Sequence, residues 1–328
     1  MDPPYEIGWF ITVRGVRHTL LRKMLQPLEN FFSRRVRLGL PFELVLENFY
    51  LVRKSRVIFC CCDPISFAFL WAKAVGLIDS RVITLFHSLS ERHIKYFTDN
   101  PSAIWMVRRL LAQSDKILTL SQGARKHLIN EFSLKPERVD VFHFGADTEF
   151  WSFRKWDRSR NQILAVGNDM NRDYSTLLDA LLKEYRITLV TNQSFRQHEN
   201  LKVLSGISNT TLRKIYQSAR IVVIPSVRLK TECSGLSTTL QAMACGTPVL
   251  ISDCPVLREL FQEDEHIFYY EPESTQSLKN KIESIWNNEK LLQQVSLNAC
   301  RIVNDIYNEK NMNLQLKKLF GIRKNSNL

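Results

Sequence analysis

From about Arg56 onward the chain alternates short apolar runs with longer amphipathic ones, and it keeps doing so to about Tyr307. The short runs are 56–62, 81–86, 116–120 and 139–142, then 162–166, 187–191, 201–204, 221–225, 248–251 and 266–270. Between them, apolar residues at spacings of three and four predict helices over 65–75, 103–113, 122–132, 174–182, 209–218, 236–245, 255–261, 274–286 and 291–307. Each strand is too short and too uniformly apolar to keep one wet face. Such strands separated by helical crossovers belong in a parallel sheet covered on both sides. The class is therefore α/β.

A chain of 328 residues suits two domains of this kind. The stretch 145–160, GADTEFWSFRKWDRSR, is polar, aromatic and without sustained period, and is read as the boundary. The expected organisation is a Rossmann-like domain over 1–150 and a second over 151–308. A C-terminal segment, 309–328, has a helix near 311–320 placed to pack back across the first domain. Two doubly wound domains in tandem would face each other across a cleft at the carboxyl ends of their sheets, where such sheets bind ligands.

The N-terminal forty residues have a different pattern. Residues 7–13 read as a strand that Gly15 breaks. Arg14, Arg17, Arg22, Lys23, Arg34, Arg35 and Arg37 then face a single Glu29. Leu20, Leu21, Met24, Leu25, Leu28, Phe31 and Phe32 give this basic segment an apolar helical face. Such a helix fits either an anionic membrane surface or an ordinary domain helix with its wet face outward. The formal net charge of +12 points to an anionic partner, whether nucleic acid, acidic lipid or a phosphorylated substrate. Nucleic acid is disfavoured, because the cations lack the interleaved aromatics of a stacking platform.

The cysteines, at 60, 61, 62, 233, 245, 254 and 300, contain no CxxC and are odd in number. They form neither a disulfide framework nor a zinc pattern, and Cys60, Cys61 and Cys62 are expected as small buried strand residues in a reducing compartment. Met1-Asp2-Pro3-Pro4 does not open a signal peptide, and the apolar stretch 65–78 is too short to span a bilayer and contains Lys73. The expected location is cytoplasmic, with the inner membrane face open as a peripheral site. No GxGxxG comes after a first strand, which sets aside a nicotinamide-dependent enzyme.

The segment 231–250, TECSGLSTTLQAMACGTPVL, carries the most chemistry. Gly235 opens a helix whose first residue is Leu236. Free N–H groups at a helix start, with the helix dipole, bind phosphate or carboxylate. Arg228 and Lys230 add cations in the loop before it, and Glu232 places an acid beside the turn. Read alone, Ser234 caps the helix and Gly235 makes a turn. The order of residues nonetheless resembles the donor-binding segment of nucleotide-sugar glycosyltransferases of the GT-B fold, family 4: Pro-Ser, an acid, Ser-Gly-Leu, then Gln-Ala-Met-Ala-Cys-Gly-Thr-Pro-Val. Residues 166–174, VGNDMNRDY, resemble the first strand and Gly-loop of that family's donor domain, and 144–151, FGADTEFW, its hinge.

The resemblance implies that Glu232 contacts the donor sugar and that His87, after the strand 81–86, faces that sugar. It also implies that Gly167 and Arg172, with Ser234, Gly235 and Leu236, hold the diphosphate, assisted by Arg228 or Lys230. Gln241 stands where the family has a second acid for the ribose, and the spacing from Glu232 is one residue longer than usual. Asn168 stands where the family has an Arg. The implied activity transfers a sugar from a nucleoside-diphosphate donor to a hydroxyl acceptor, lipid-linked or glycan, with retention, no metal and no cofactor, in surface polysaccharide or glycolipid synthesis. Asn168 and Gln241 also keep open a non-catalytic subunit that binds a nucleotide sugar or a glycosyltransferase partner.

Overall fold

A computed structural model describes residues 19–321. The chain divides into two compact units, residues 1–117 and 118–328. The expected strand at 7–13, and Arg14, Gly15 and Arg17, lie outside the described residues.

The first unit opens with three helices, α1 (Thr19–Val36), α2 (Phe42–Glu47) and α3 (Phe49–Lys54). The α/β alternation then begins with β1 (Val57–Cys60), α4 (Asp63–Ala74), β2 (Arg81–Phe86), α5 (Leu89–Tyr96), α6 (Pro101–Leu111) and β3 (Lys116–Thr119), within which the division between units falls. The first sheet runs β1-β2-β3 and ends with β4 (Val139–Val141), and β1 pairs parallel with β2 from Val57–Arg81 to Cys60–Thr84. In β2 every residue after Arg81 is buried, as expected of a strand covered on both faces.

Helices α2, α3 and α5 were not visible as periodic segments. At six, six and eight residues they are too short for a hydrophobic period to declare itself. The expectation of three buried strand cysteines needs correction. Cys60 is buried at the end of β1, but the strand stops there, leaving Cys61 exposed and Cys62 half-buried in the turn into α4.

The second unit carries α7 (Gln122–Phe132), β5 (Gln162–Val166), α8 (Tyr174–Leu181), β6 (Arg186–Val190), β7 (Leu201–Leu204), α9 (Asn209–Ser218), β8 (Ile221–Ile224), α10 (Leu236–Ala244), β9 (Val249–Ser252), α11 (Pro255–Leu260), β10 (Phe268–Tyr270), α12 (Thr275–Trp286), α13 (Glu289–Asp305) and α14 (Glu309–Phe320). Its six strands run β10-β9-β8-β5-β6-β7, and every neighbouring pair is parallel. Chain order thus reverses between β5 and β8, the doubly wound arrangement whose switch point is the usual ligand crevice. Ile163, Ala165, Leu177, Ile187, Val223 and Phe268 are buried in its core.

The segment 145–160 is packed rather than slack. Trp156 is 1% exposed and donates from Nε1 to the Arg220 carbonyl at 2.9 Å. The Arg220 guanidinium lies between the Trp156 and Trp286 rings, 5.1 and 4.9 Å from their centroids. Arg160, also buried, donates to the carbonyls of Arg154 and Lys155 at 3.0 and 2.9 Å, tying this segment back on itself. Helix α14 meets the residues just before it. Gln315 exchanges hydrogen bonds with the His143 backbone at 3.1 and 3.2 Å, and Ala146 bridges to Asn308.

Candidate active site at the switch point of the second sheet

The loops that leave β5 and β8 meet where strand order reverses, and backbone bonds lock them together. Asp173 N donates to the Pro225 carbonyl at 3.1 Å, and Val227 N donates to that of Asn171 at 3.0 Å. Each loop carries one glycine with a backbone that L side chains rarely adopt: Gly167 at φ +152° and Gly235 at φ +101°. The Arg172 side chain lies against both. A Cβ on Gly167 would sit 2.2 Å from Arg172 Nε, and one on Gly235 would sit 2.6 Å from Ile224 Cγ2 and 3.0 Å from Arg172 Nη2. Neither position accepts a side chain while Arg172 is in place.

The side chain of Arg172 is only 2% exposed. Its Nε donates to the Val166 carbonyl at 3.2 Å, and its Nη1 donates to Ser234 Oγ at 2.5 Å. Ser234 Oγ in turn donates to Asp169 Oδ1 at 2.7 Å, while Asp169 Oδ2 lies 3.4 Å from Arg172 Nη1. A buried guanidinium needs such partners to offset its lost hydration. Tyr174 closes the first loop by donating to the Gly167 carbonyl at 2.7 Å. Leu236 begins α10 directly after Gly235, so the first N–H groups of that nine-residue helix emerge beside the guanidinium. Backbone donors, a dipole and a fixed cation converge here, which suits an anionic ligand.

The other expected residues are placed less uniformly. Glu232 is 4% exposed, in the loop before the turn. That loop is held by the Ser121 hydroxyl, which donates to the Thr231 carbonyl at 3.0 Å while accepting from Ala124 N at the start of α7. Gln241 lies further along α10, and its Oε1 is 3.5 Å from the buried Tyr216 hydroxyl. Arg228 is drawn into an exposed pair with Glu271 at 3.1 Å, and Lys230 is exposed. Asn168 turns toward β6, where its Oδ1 accepts from Asn192 N at 2.6 Å and Thr191 Oγ1 at 3.1 Å. The structure therefore gathers Gly167, Arg172, Ser234, Gly235 and Leu236 at one spot. Asp169 and Ser121 join the arrangement without having been anticipated. Asp169, two residues after Gly167, was within reach of a sequence argument, whereas the Ser121–Thr231 bond spans too much chain to leave a local trace.

His87 belongs to the first unit. Its backbone N donates to Asp63 Oδ1 at 2.7 Å, and the Ser88 hydroxyl donates to Asp63 Oδ2 at 2.9 Å. The ring Nε2 lies 2.8 Å from the Cys61 carbonyl, a pure acceptor, so Nε2 carries a proton and donates it to this bond. The Cys62 thiol, hydrogen-bonded to Cys61, pulls the Cys61 thiol down to about 6, and His87 adds to this. Among the described residues no group of three or more His, Cys, Asp or Glu is arranged to hold a metal ion, and no helix is long and apolar enough to cross a membrane.

Comparison with known proteins agrees with this architecture. Residues 11–150 match the family described as Glycosyltransferase Family 4, and residues 188–301 match Glycosyl transferases group 1. An MMP alpha-(1->4)-mannosyltransferase of Mycolicibacterium hassiacum is 27% identical over 178 residues, 48% of this chain and 42% of that protein. An uncharacterised glycosyltransferase of Methanocaldococcus jannaschii is 23% identical over 259 residues, 69% of this chain and 65% of its own. The matched stretch thus spans under two-thirds of each of these relatives. Among solved structures, Anabaena HepE in complex with UDP-glucose shares the fold with a TM-score of 0.69 at 16% identity, covering 85% of this chain and 82% of that one. Sucrose-phosphate synthase from Thermosynechococcus elongatus gives 0.71 at 16%, covering 85% and 78%.

Proposed function

This chain belongs to the group 1 glycosyltransferases of the GT-B fold, and on that premise we propose that it moves a sugar from a nucleoside-diphosphate donor to a hydroxyl acceptor. The observation that carries the reading is the pair of positive-φ glycines closed over one buried arginine at the sheet's switch point. In such a transfer the bond from the sugar's anomeric carbon to the diphosphate breaks as a bond to the acceptor oxygen forms. The sugar gains positive character while the diphosphate leaves with negative charge. A preorganised set of donors that meets the departing charge lowers that barrier without having to reorganise. Here the N–H groups of the Gly235 turn and the first turn of α10, with Arg172, supply those donors, while Gly167, its own N–H spent on the Val190 carbonyl at 3.1 Å, leaves room for the guanidinium. Ser234 and Asp169 fix the guanidinium. Glu232 orients the sugar and Gln241 the ribose. Exposed Arg228 and Lys230 steer the anion inward. By family resemblance the transfer retains anomeric configuration, and the acceptor is a lipid-linked or glycan hydroxyl of surface polysaccharide or glycolipid synthesis. The HepE complex with UDP-glucose supports a nucleotide-sugar donor, and the relative named as a mannosyltransferase supports sugar transfer.

A thermal melt of the purified protein across UDP-, GDP- and ADP-sugars tests binding, since a ligand of the folded state raises the midpoint. One donor should raise it, and Arg172→Ala should abolish the rise. Hydrolysis of that donor should then fall at least about tenfold in Glu232→Ala. Equal background hydrolysis by both proteins, with the melt shift intact, would favour the second reading, a non-catalytic nucleotide-sugar-binding subunit. That reading draws on Asn168, whose amide oxygen is spent on Thr191 and Asn192, and on Gln241. No melt shift with any donor would overturn both.

A further inference from the structure

Helix α1 is seated by part of its apolar face only. Phe32 and Val36 are buried, at 8% and 2% exposure, and the Phe32 ring packs on Phe42 at 5.6 Å. Beside this seated face runs a second apolar row that the protein leaves in solvent. Leu20 and Met24 are each 71% exposed, Pro27 is exposed, and Phe31 is 48% exposed. Their spacing of four, three and four places them on one line along the helix. Isolated exposed apolar side chains need no explanation, but a continuous row is a surface.

Cations edge the row. Lys23 and Arg34, both exposed, are one step round the helix on one side. On the other, Arg35 lays its guanidinium over the Phe31 ring at 3.8 Å and donates to the Phe31 carbonyl at 3.0 Å. The helix has no acid in its first turn, and Glu29, the acid it does contain, accepts from Gln26 at 3.3 Å. An apolar ridge with basic margins matches the boundary of an anionic bilayer: Leu, Met and Phe enter the acyl edge while Lys and Arg reach lipid phosphates. A second copy of the chain fits this face poorly. In a two-fold contact the ridge would meet itself, with like-charged margins opposed on a protein of net charge +12. We propose that the Leu20–Met24–Pro27–Phe31 ridge of α1 docks on a membrane surface rich in anionic phospholipid headgroups.

The test is flotation of the full chain with vesicles of phosphatidylcholine alone and of phosphatidylcholine mixed with phosphatidylglycerol. The protein should float with the anionic vesicles and not with the neutral ones, and rising salt should release it. Met24→Gln with Phe31→Gln should lower the bound fraction about tenfold, and Arg34→Gln with Arg35→Gln should do the same. All four side chains lie at the surface, so the melting midpoint should stay put, and a midpoint that fell would be answered by Leu20→Gln alone. Failure of the wild type to bind anionic vesicles would overturn the proposal, as would ridge variants that bind as well as wild type. So would a wild-type dimer in sedimentation that the ridge variant converts to monomer, since the face would then belong to a second copy. None of these measurements involves a sugar donor, so their failure would leave the transfer reading standing.

Discussion

Gly235 is held at φ +101° with no room for a methyl group, because Ile224 and Arg172 occupy the space a Cβ would need. Gly235→Ala should cost about 1–3 kcal/mol of stability from backbone strain and crowding. It should also remove the donor-induced rise in melting midpoint, because the turn that bares the α10 N–H groups would open. Gly206→Ala is the control: that residue has φ +63° but open space around it, so it should lose stability and keep the donor response. A Gly235→Ala protein with an undiminished donor shift would place the ligand elsewhere. A second residue-scale expectation concerns Cys61. Its thiol is held down to about 6 first by the Cys62 hydrogen bond, so its thiolate forms as pH rises through that value. The alkylation rate should climb through about pH 6 and level off above it. Cys60, whose burial drives its thiol far up, should stay unmodified. Iodoacetamide labelling mapped by mass spectrometry checks this, and labelling of Cys61 that rises only in alkaline buffer would refute it. Three adjacent cysteines thus have three environments. The letters CCC did not reveal them, because the difference comes from where β1 stops and from His87 arriving just after β2.

The alternating pattern named most elements correctly, because each long helix and each buried strand advertises its own period. It could not describe the segment 145–160. Its lack of period gives no sign of packing, and Trp156 is among the largest fully buried side chains, pinned to Arg220 and stacked with it. Trp156→Ala should therefore destabilise the second unit by about 3–5 kcal/mol, a core-sized penalty, while an exposed aromatic of the same segment such as Phe153 should tolerate substitution. Urea unfolding of the two variants measures the contrast, and a Trp156→Ala cost below about 1 kcal/mol would mean the segment is not part of the core. The seven apolar positions of α1 show the complementary gap. Their spacing announced a helix, but only packing against α2 separated the buried Phe32 from the exposed Leu20, Met24 and Phe31.

At the scale of the whole molecule, local chemistry carried far. The α/β class, the parallel strands and a Gly-opened helix after the fourth strand of the second sheet all come from burial and backbone freedom, which act within a few residues and leave a trace in the letters. The resemblance of 166–174 and 231–250 to one enzyme family drew on the same short stretches. The compact units divide at 117/118, and the boundary expected from composition is 150/151. The strand order β10-β9-β8-β5-β6-β7 was beyond sequence reading, since each pairing joins residues far apart in the chain. That order brings the loop with Gly167 and Arg172 against the loop with Ser234 and Gly235. The sequence by itself determined which turns could bind an anion. The tertiary structure alone decided that two of them close over the same arginine, because only a folded sheet sets residues 62 positions apart within 2.5 Å of each other.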